Sequence, residues 1–209
     1  MAKLFLVRHG KSAWNATGQW TGHTDVDLAP EGYEEAKKAG EALKGQHIDK
    51  VYVSDLKRTH QTYEKIQEAC GLFGLTCIAD KALSERDYGV HTGKNKWQVK
   101  EEIGEDAFQD IRRGWDTKIE GGETLKDVYM RAVPYYEANI KKDLMEGKNV
   151  LVVGHGNTFR ALVKHLENLD DKQVCDVELA TGEVHCYDVD SSGKAESQGV
   201  IGEKRENKV

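Results

Sequence analysis

The strongest constraint on how this chain can fold is a segment that occurs twice. LFLVRHGKS spans residues 4–12 and VLVVGHGNT spans residues 150–158. Each is a continuous apolar run that ends in His-Gly and then reaches a hydroxyl residue. Short runs that are apolar on both faces belong to strands covered by helices on both sides, which implies a parallel sheet. In such a sheet the C-terminal ends of the strands line one edge, and ligands bind there at the switch point. His9 and His155 are therefore expected to face each other across one crevice. Gly10 and Gly156 let the backbone turn tightly beside a ligand.

The rest of the chain supplies the helices. Pro30 opens a helix in which Tyr33, Ala36, Gly40 and Leu43 recur at helical spacing, closed by Gly45. Residues 50–53 read as a second strand. Ser54 and Asp55 are cap candidates for a helix whose face carries Leu56, Tyr63, Ile66 and Cys70. A third strand is expected at 76–79, then an irregular polar loop through SERDYGVHTGKNK. Phe108, Ile111 and Trp115 predict a helix over 101–115, with Arg112 and Arg113 on or beside its opposite face. After Gly121-Gly122, Thr124 and Asp127 resemble a capping box for a helix that Pro134 should kink. Phe159, Leu162, Val163 and Leu166 mark a helix after the 149–153 strand. Residues 183–189 alternate like a final edge strand, and the polar tail 191–209 is expected to be mobile when free. The expected architecture is α/β, a three-layer, doubly wound, mostly parallel sheet with helices on both faces and an antiparallel edge strand. One domain over 1–190 would carry it, with a cap-like insertion at about 84–122.

Charge narrows the ligand. Asp and Glu number 36 against 30 Lys and Arg, a formal balance of −6. A polyanion such as nucleic acid is therefore not an expected partner, and any anionic ligand should be small and locally bound. Arg8 ends a buried strand, where a guanidinium without a counter-anion carries a large desolvation cost. Arg58 falls in the first turn of the helix after the second strand, near the same edge. With the Arg112-Arg113 pair they make a positive pocket suited to a small phosphate ester. A dinucleotide site is the competing reading, since Gly154-His155-Gly156 follows a strand and opens a helix. Phe159, however, stands at the third glycine position. The apolar start of the chain is too short for a signal segment or a membrane span, so a cytoplasmic protein with no membrane partner is expected. Cys70, Cys77, Cys175 and Cys186 show no CxxC pairing and are expected to be buried free thiols. No metal-ligand spacing appears, so no metal is expected.

With Arg8-His9-Gly10, Ser12 and Asn15, Thr21-Gly22 and His155-Gly156-Asn157, the sequence resembles the histidine phosphatase superfamily. Within it, SDLKRTHQT, LSERDYG, TGKNK, the Arg112-Arg113 dipeptide and ELATG are most similar to the cofactor-dependent phosphoglycerate mutases. The resemblance implies a phosphoglycerate mutase-like fold with His9 as phosphoryl acceptor. Arg8, Arg58 and His155 would surround the transferring group, and Glu85 would exchange a proton with the substrate hydroxyl. Tyr88, Lys96, Arg112 and Arg113 would hold the substrate's carboxylate and distal phosphate. Ser12, Asn15, Thr21, Gly22, Gly156 and Asn157 would complete the binding site. The implied reaction interconverts 2-phosphoglycerate and 3-phosphoglycerate in glycolysis and gluconeogenesis, with 2,3-bisphosphoglycerate as primer and intermediate and no metal. A broad-specificity phosphatase on the same fold is the alternative. The sequence departs from the mutases at Lys11, where Glu is usual, at Asp87, where His or Tyr is common, and before Gly121, where a proline run is often found. Oligomeric state is left open.

Overall fold

The structure is a computed structural model and describes residues 1–202. In chain order the elements are β1 (Ala2–Arg8), α1 (Ala13–Ala16), α2 (Pro30–Leu43), β2 (Lys50–Val53), α3 (Lys57–Cys70), β3 (Thr76–Ala79), α4 (Lys96–Ile103) and α5 (Glu105–Arg113). They continue with α6 (Leu125–Tyr135), α7 (Lys141–Met145), β4 (Val150–Gly154), α8 (Gly156–Leu166), β5 (Val184–Val189) and β6 (Ala195–Ile201). Among the described residues the six strands form one sheet in the order β3-β2-β4-β1-β5-β6. β1 to β4 run parallel, β5 is antiparallel to β1, and β6 is antiparallel to β5.

The period of two in β1 divides the core. Phe5 and Val7, with Val51, Val53, Leu151 and Val153, pack under Ala39 and Leu43 of α2 and Tyr63 and Ile66 of α3. Leu4 and Leu6, with Tyr52, Val150 and Val152, pack under Ala132 and Val133 of α6 and Phe159 and Leu162 of α8. The chain leaving β1 thus covers one face, and the chain leaving the adjacent β4 covers the other. Such divergence opens a crevice at the C-terminal edge of the two strands. No helix among the described residues is long and apolar enough to cross a membrane.

Several local expectations change. The helix expected over 101–115 is two helices, α4 and α5, meeting at Gly104 with φ +82°, and α4 begins at Lys96 inside the expected loop. Asn95 causes that early start, because its side chain accepts from the Trp97 and Gln98 amides. Pro134 does not break its helix. A π-helical turn over Tyr136–Ile140 follows, and α7 continues from it without interruption. Thr124 and Asp127 do form the reciprocal capping box. Ser54 and Asp55 do not cap α3, which starts after Leu56. β5 is not the edge, because β6, formed from part of the tail expected to be mobile, pairs along it. The turn between them is tied by the Asp190 carboxylate, which accepts from the Ser192 and Lys194 amides. β6 escapes pattern reading because it is exposed on both faces along most of its length. Residues 203–209 of that tail lie outside the described residues. The four cysteines are free, but only Cys186 is buried; Cys77 is exposed because β3 is an edge strand.

The turn after β1 is held by an unusually close backbone approach. A Cβ on Gly10 would lie 2.1 Å from the Gly32 carbonyl oxygen, and one on Gly32 would lie 2.1 Å from that of Lys11. The first turn of α2 therefore rests directly on the chain leaving His9. Alanine normally favours a helix over glycine by about 1 kcal/mol. Gly32→Ala should nevertheless destabilise the protein by roughly 1–3 kcal/mol through overpacking, read as a lower Tm; an unchanged or raised Tm would contradict this packing.

Candidate active site

The site begins with strand register. Arg8 pairs with Gly154, and the His9 amide donates to the Gly154 carbonyl at 2.9 Å. The next residue on each strand is histidine, and the His9 and His155 rings meet edge-on with centroids 5.0 Å apart. His9 Nδ1–H donates to the Gly10 carbonyl at 2.7 Å, which leaves the lone pair on Nε2. Burial, and then the charges of Arg58 and Arg8, hold the His9 imidazole well below its ordinary pKa. It is therefore a neutral nucleophile near pH 7. His155 is also held neutral by burial, by Arg58 and by His9. Its Nε2 meets the Ser54 hydroxyl at 2.7 Å, and its Nδ1 has no hydrogen-bond partner among the described residues.

Two guanidinium groups, Arg8 half-buried and Arg58 buried, flank the histidines. Arg8 donates to the Leu179 carbonyl at 2.6 Å. Arg58, fully buried in the first turn of α3, donates to the Gly22 and Thr24 carbonyls at 3.0 Å each, and its Nε has no partner among the described residues. Burial lowers the Arg58 pKa to about 10, so it stays charged at neutral pH. Gly22, at φ +53°, makes the turn that presents its carbonyl to Arg58.

Glu85 lines the same cleft. One carboxylate oxygen accepts from the Arg86 amide at 2.8 Å and from the backbone and side-chain amides of Asn157 at 3.2 and 3.1 Å. Asn157, in the first turn of α8, also donates to the Tyr88 hydroxyl at 2.8 Å, which ties the cap to the sheet edge. Trp20 stacks against Tyr88, and the Lys96 ammonium lies 5.5 Å from the Trp20 ring centroid. Arg112 and Arg113 end α5, where positive charge complements the helix dipole, and Arg113 forms an ion pair with Glu178.

One cleft collects Arg8, His9, Asn15, Thr21, Gly22, Arg58, Glu85, Tyr88, Lys96, Arg112, Arg113, Gly156 and Asn157, as the sequence leads one to expect. His155 is fully buried beside His9. Ser12 does not line the cleft. It is the N-cap of α1, where its hydroxyl accepts from the Asn15 amide and the Asn15 side chain bonds back, so it positions Asn15. Lys11 does not line the cleft either; its amide donates to Glu35 at 2.7 Å. Sequence reasoning missed Gln19, Trp20, Arg160 and Glu178 in the wall. It also missed Arg131, which donates to the carbonyls of Ala82, Ser84 and Glu85 and is paired with Glu123. Arg131 sits four positions after Asp127 on a helix read only for its apolar face, so periodicity gave no signal. The dinucleotide reading also loses its footing. A Cβ on Gly154 would lie 2.9 Å from the Phe159 ring, so this glycine makes room for a core side chain.

Comparison with known proteins agrees with the geometry. The model of the histidine phosphatase superfamily (branch 1) matches residues 4–198. The chain belongs to this superfamily. A 2,3-bisphosphoglycerate-dependent phosphoglycerate mutase of Nautilia profundicola is 40% identical, over 92% of this chain and 96% of its own length. The protein of the same name from Mesorhizobium japonicum is 39% identical over 95% and 97%. Among solved structures, Bacillus stearothermophilus YhfR superposes with a TM-score of 0.83 at 23% identity, covering 95% of this chain and 96% of that one. A mycobacterial glucosyl-3-phosphoglycerate phosphatase does so with a TM-score of 0.82 at 22% identity, covering 97% and 99%. These structural likenesses establish the fold.

Lys96 gives the cleft a titration. Burial, reinforced by Arg8 and Arg112, lowers its pKa to about 8. The charged form attracts an anion, so affinity for 3-phosphoglycerate should fall as pH rises through that value. Calorimetric titrations across pH 7–9.5 check this. Lys96→Arg, which keeps its charge over the whole range, should flatten the profile.

Proposed function

We propose that the chain is a 2,3-bisphosphoglycerate-dependent phosphoglycerate mutase that carries the phosphoryl group on His9. The observation that carries this reading is that two cationic sites share one cleft. One is His9 with Arg8, Arg58 and His155; the other is Lys96 with Arg112 and Arg113. A phosphatase for simple monoesters needs only the first. A phosphoglycerate has two anionic ends and needs both.

The residues fit 2,3-bisphosphoglycerate. The buried Arg58 Nε, His155 Nδ1 and Thr21 Oγ1 have no partners among the described residues and suit phosphate oxygens. Arg8, Arg58 and His155 would hold one phosphate, and Lys96, Arg112 and Arg113 the other. When bound, this cofactor supplies the phosphoryl group that primes His9. His9 Nε2 forms its bond to phosphorus as the ester oxygen leaves, and Glu85 donates a proton to that oxygen. Arg8 and Arg58 neutralise charge on the equatorial oxygens of a loose transition state, and the neutral His155 offers one of them a hydrogen bond from Nδ1. In the reverse direction Glu85 takes the proton from a substrate hydroxyl while His9 gives up the phosphoryl group. Tyr88, Trp20 and the arginine pair exclude water from the phosphohistidine. The reading places the enzyme in glycolysis and gluconeogenesis, acting on free phosphoglycerates in the cytoplasm.

The decisive assay supplies 3-phosphoglycerate with a trace of 2,3-bisphosphoglycerate and follows 2-phosphoglycerate against inorganic phosphate. The mutase reading expects isomerisation to dominate; predominant phosphate release would replace it with the phosphatase. His9→Ala should abolish covalent labelling by radiolabelled 2,3-bisphosphoglycerate, and label at another residue would move the acceptor. Glu85→Gln should lower kcat by about 10²–10⁴-fold, measured by steady-state assay. A loss below tenfold would remove Glu85 from the proton transfer.

A further inference from the structure

The C-terminal end of α5 is held in an unusual way. The last carbonyls of a helix have no intrahelical partner and need a donor from elsewhere. Here the guanidinium of Arg160, in the second turn of α8, donates to the Arg113 carbonyl at 2.7 Å and to that of Arg112 at 3.4 Å. The same group donates to the Asn157 side-chain oxygen at 3.0 Å and to the Val174 carbonyl at 2.9 Å. One almost fully buried side chain thereby joins the backbone of the distal anion clamp to the residue that holds Glu85 and Tyr88.

The rest of α5 packs through Phe108, its one fully buried residue, and the partly buried Ile111. Arg86, next to Glu85, takes the preceding carbonyl, that of Ile111. Cations at these carbonyls also complement the negative end of the helix dipole. Burial and the neighbouring Arg113 charge lower the Arg160 pKa to about 10, so it remains a cation at neutral pH.

We propose that Arg160 is a positioning residue that sets the reach between the Arg112-Arg113 clamp and the phosphoryl site, by capping α5 from α8 while fixing Asn157. The proposal deepens the mutase reading and rests on it for the substrate's identity. A fork of donors is required, because several acceptors lie around one planar group.

Arg160→Gln and Arg160→Lys test it. Arg160→Gln should raise the KM for 3-phosphoglycerate by about tenfold or more, the scale expected for hydrogen bonds from a charged group. Its kcat should fall by a smaller factor, and Tm should fall as well, because the Arg112, Arg113 and Val174 carbonyls lose a donor. Arg160→Lys, a cation without the fork, should fall between the two. Combined with Arg113→Gln, the Arg160→Gln effect should be smaller than in the wild-type background, since both changes disable one clamp. A lowered Tm with unchanged KM would make Arg160 purely structural, and fully multiplicative effects would make it an independent ligand contact; either overturns the proposal. Should Arg160→Gln not fold, an unchanged KM in Arg160→Lys overturns it equally. Failure of the mutase reading shows separately, as phosphate release by the wild-type protein, and the KM comparison then proceeds on that release.

Discussion

Everything at the site depends on the in-register parallel pairing of β1 with β4, from Leu4 against Val150 to Arg8 against Gly154. A slip of one residue would send every side chain of a strand to the opposite face and part the two histidines. Both strands are buried on both faces, so a slip would misfit their side chains in two close-packed cores at once. The same pairing explains the crevice. The chain leaving β1 goes to one side of the sheet and the chain leaving β4 goes to the other, and between them the backbone edge is open to a ligand.

Several cations are then gathered at that edge, Arg113 among them paired with Glu178. Arg58 and Arg160 are oriented mainly by backbone carbonyls, neutral acceptors that leave the positive charge for an anion. Arg131 shows the opposite solution outside the cleft, where its charge is spent on Glu123 and its remaining donors hold the backbone around Glu85. This division of labour reconciles an acidic protein with an anion-binding cleft: overall charge describes the surface, whereas the buried edge carries its own field. The same burial depresses the His9 pKa and keeps the nucleophile unprotonated.

Glu85 belongs to a second tier of dependence. It is reached by the Asn157 amides from the sheet side and supported by Arg131, while the His23 ring donates to its carbonyl at 2.7 Å. Asn157 thus joins the segment that carries Glu85 and Tyr88 to the sheet edge through polar contacts. The cap's own small core is Trp20, Tyr88, Val99, Phe108 and Ile119.

Much of this was legible in the sequence. The repeated apolar run into His-Gly has a local cause, burial on both faces of a strand, and it determined the sheet, the paired histidines and the edge where they meet. The residues of the cleft were recognisable because their motifs are short and contiguous. What only the tertiary structure decided are features whose partners are distant in the chain. Ser12 serves as a helix cap, α4 and α5 divide at Gly104, and β6 adds itself to the sheet as an edge strand with no apolar face to announce it. Arg160 and Arg131 act on carbonyls that any residue could supply, so no side-chain pattern marks them. Periodicity records which faces are buried; hydrogen bonds to a remote backbone leave no trace in it, and these bonds fix the end of α5 and the segment around Glu85 in the cleft that His9 lines.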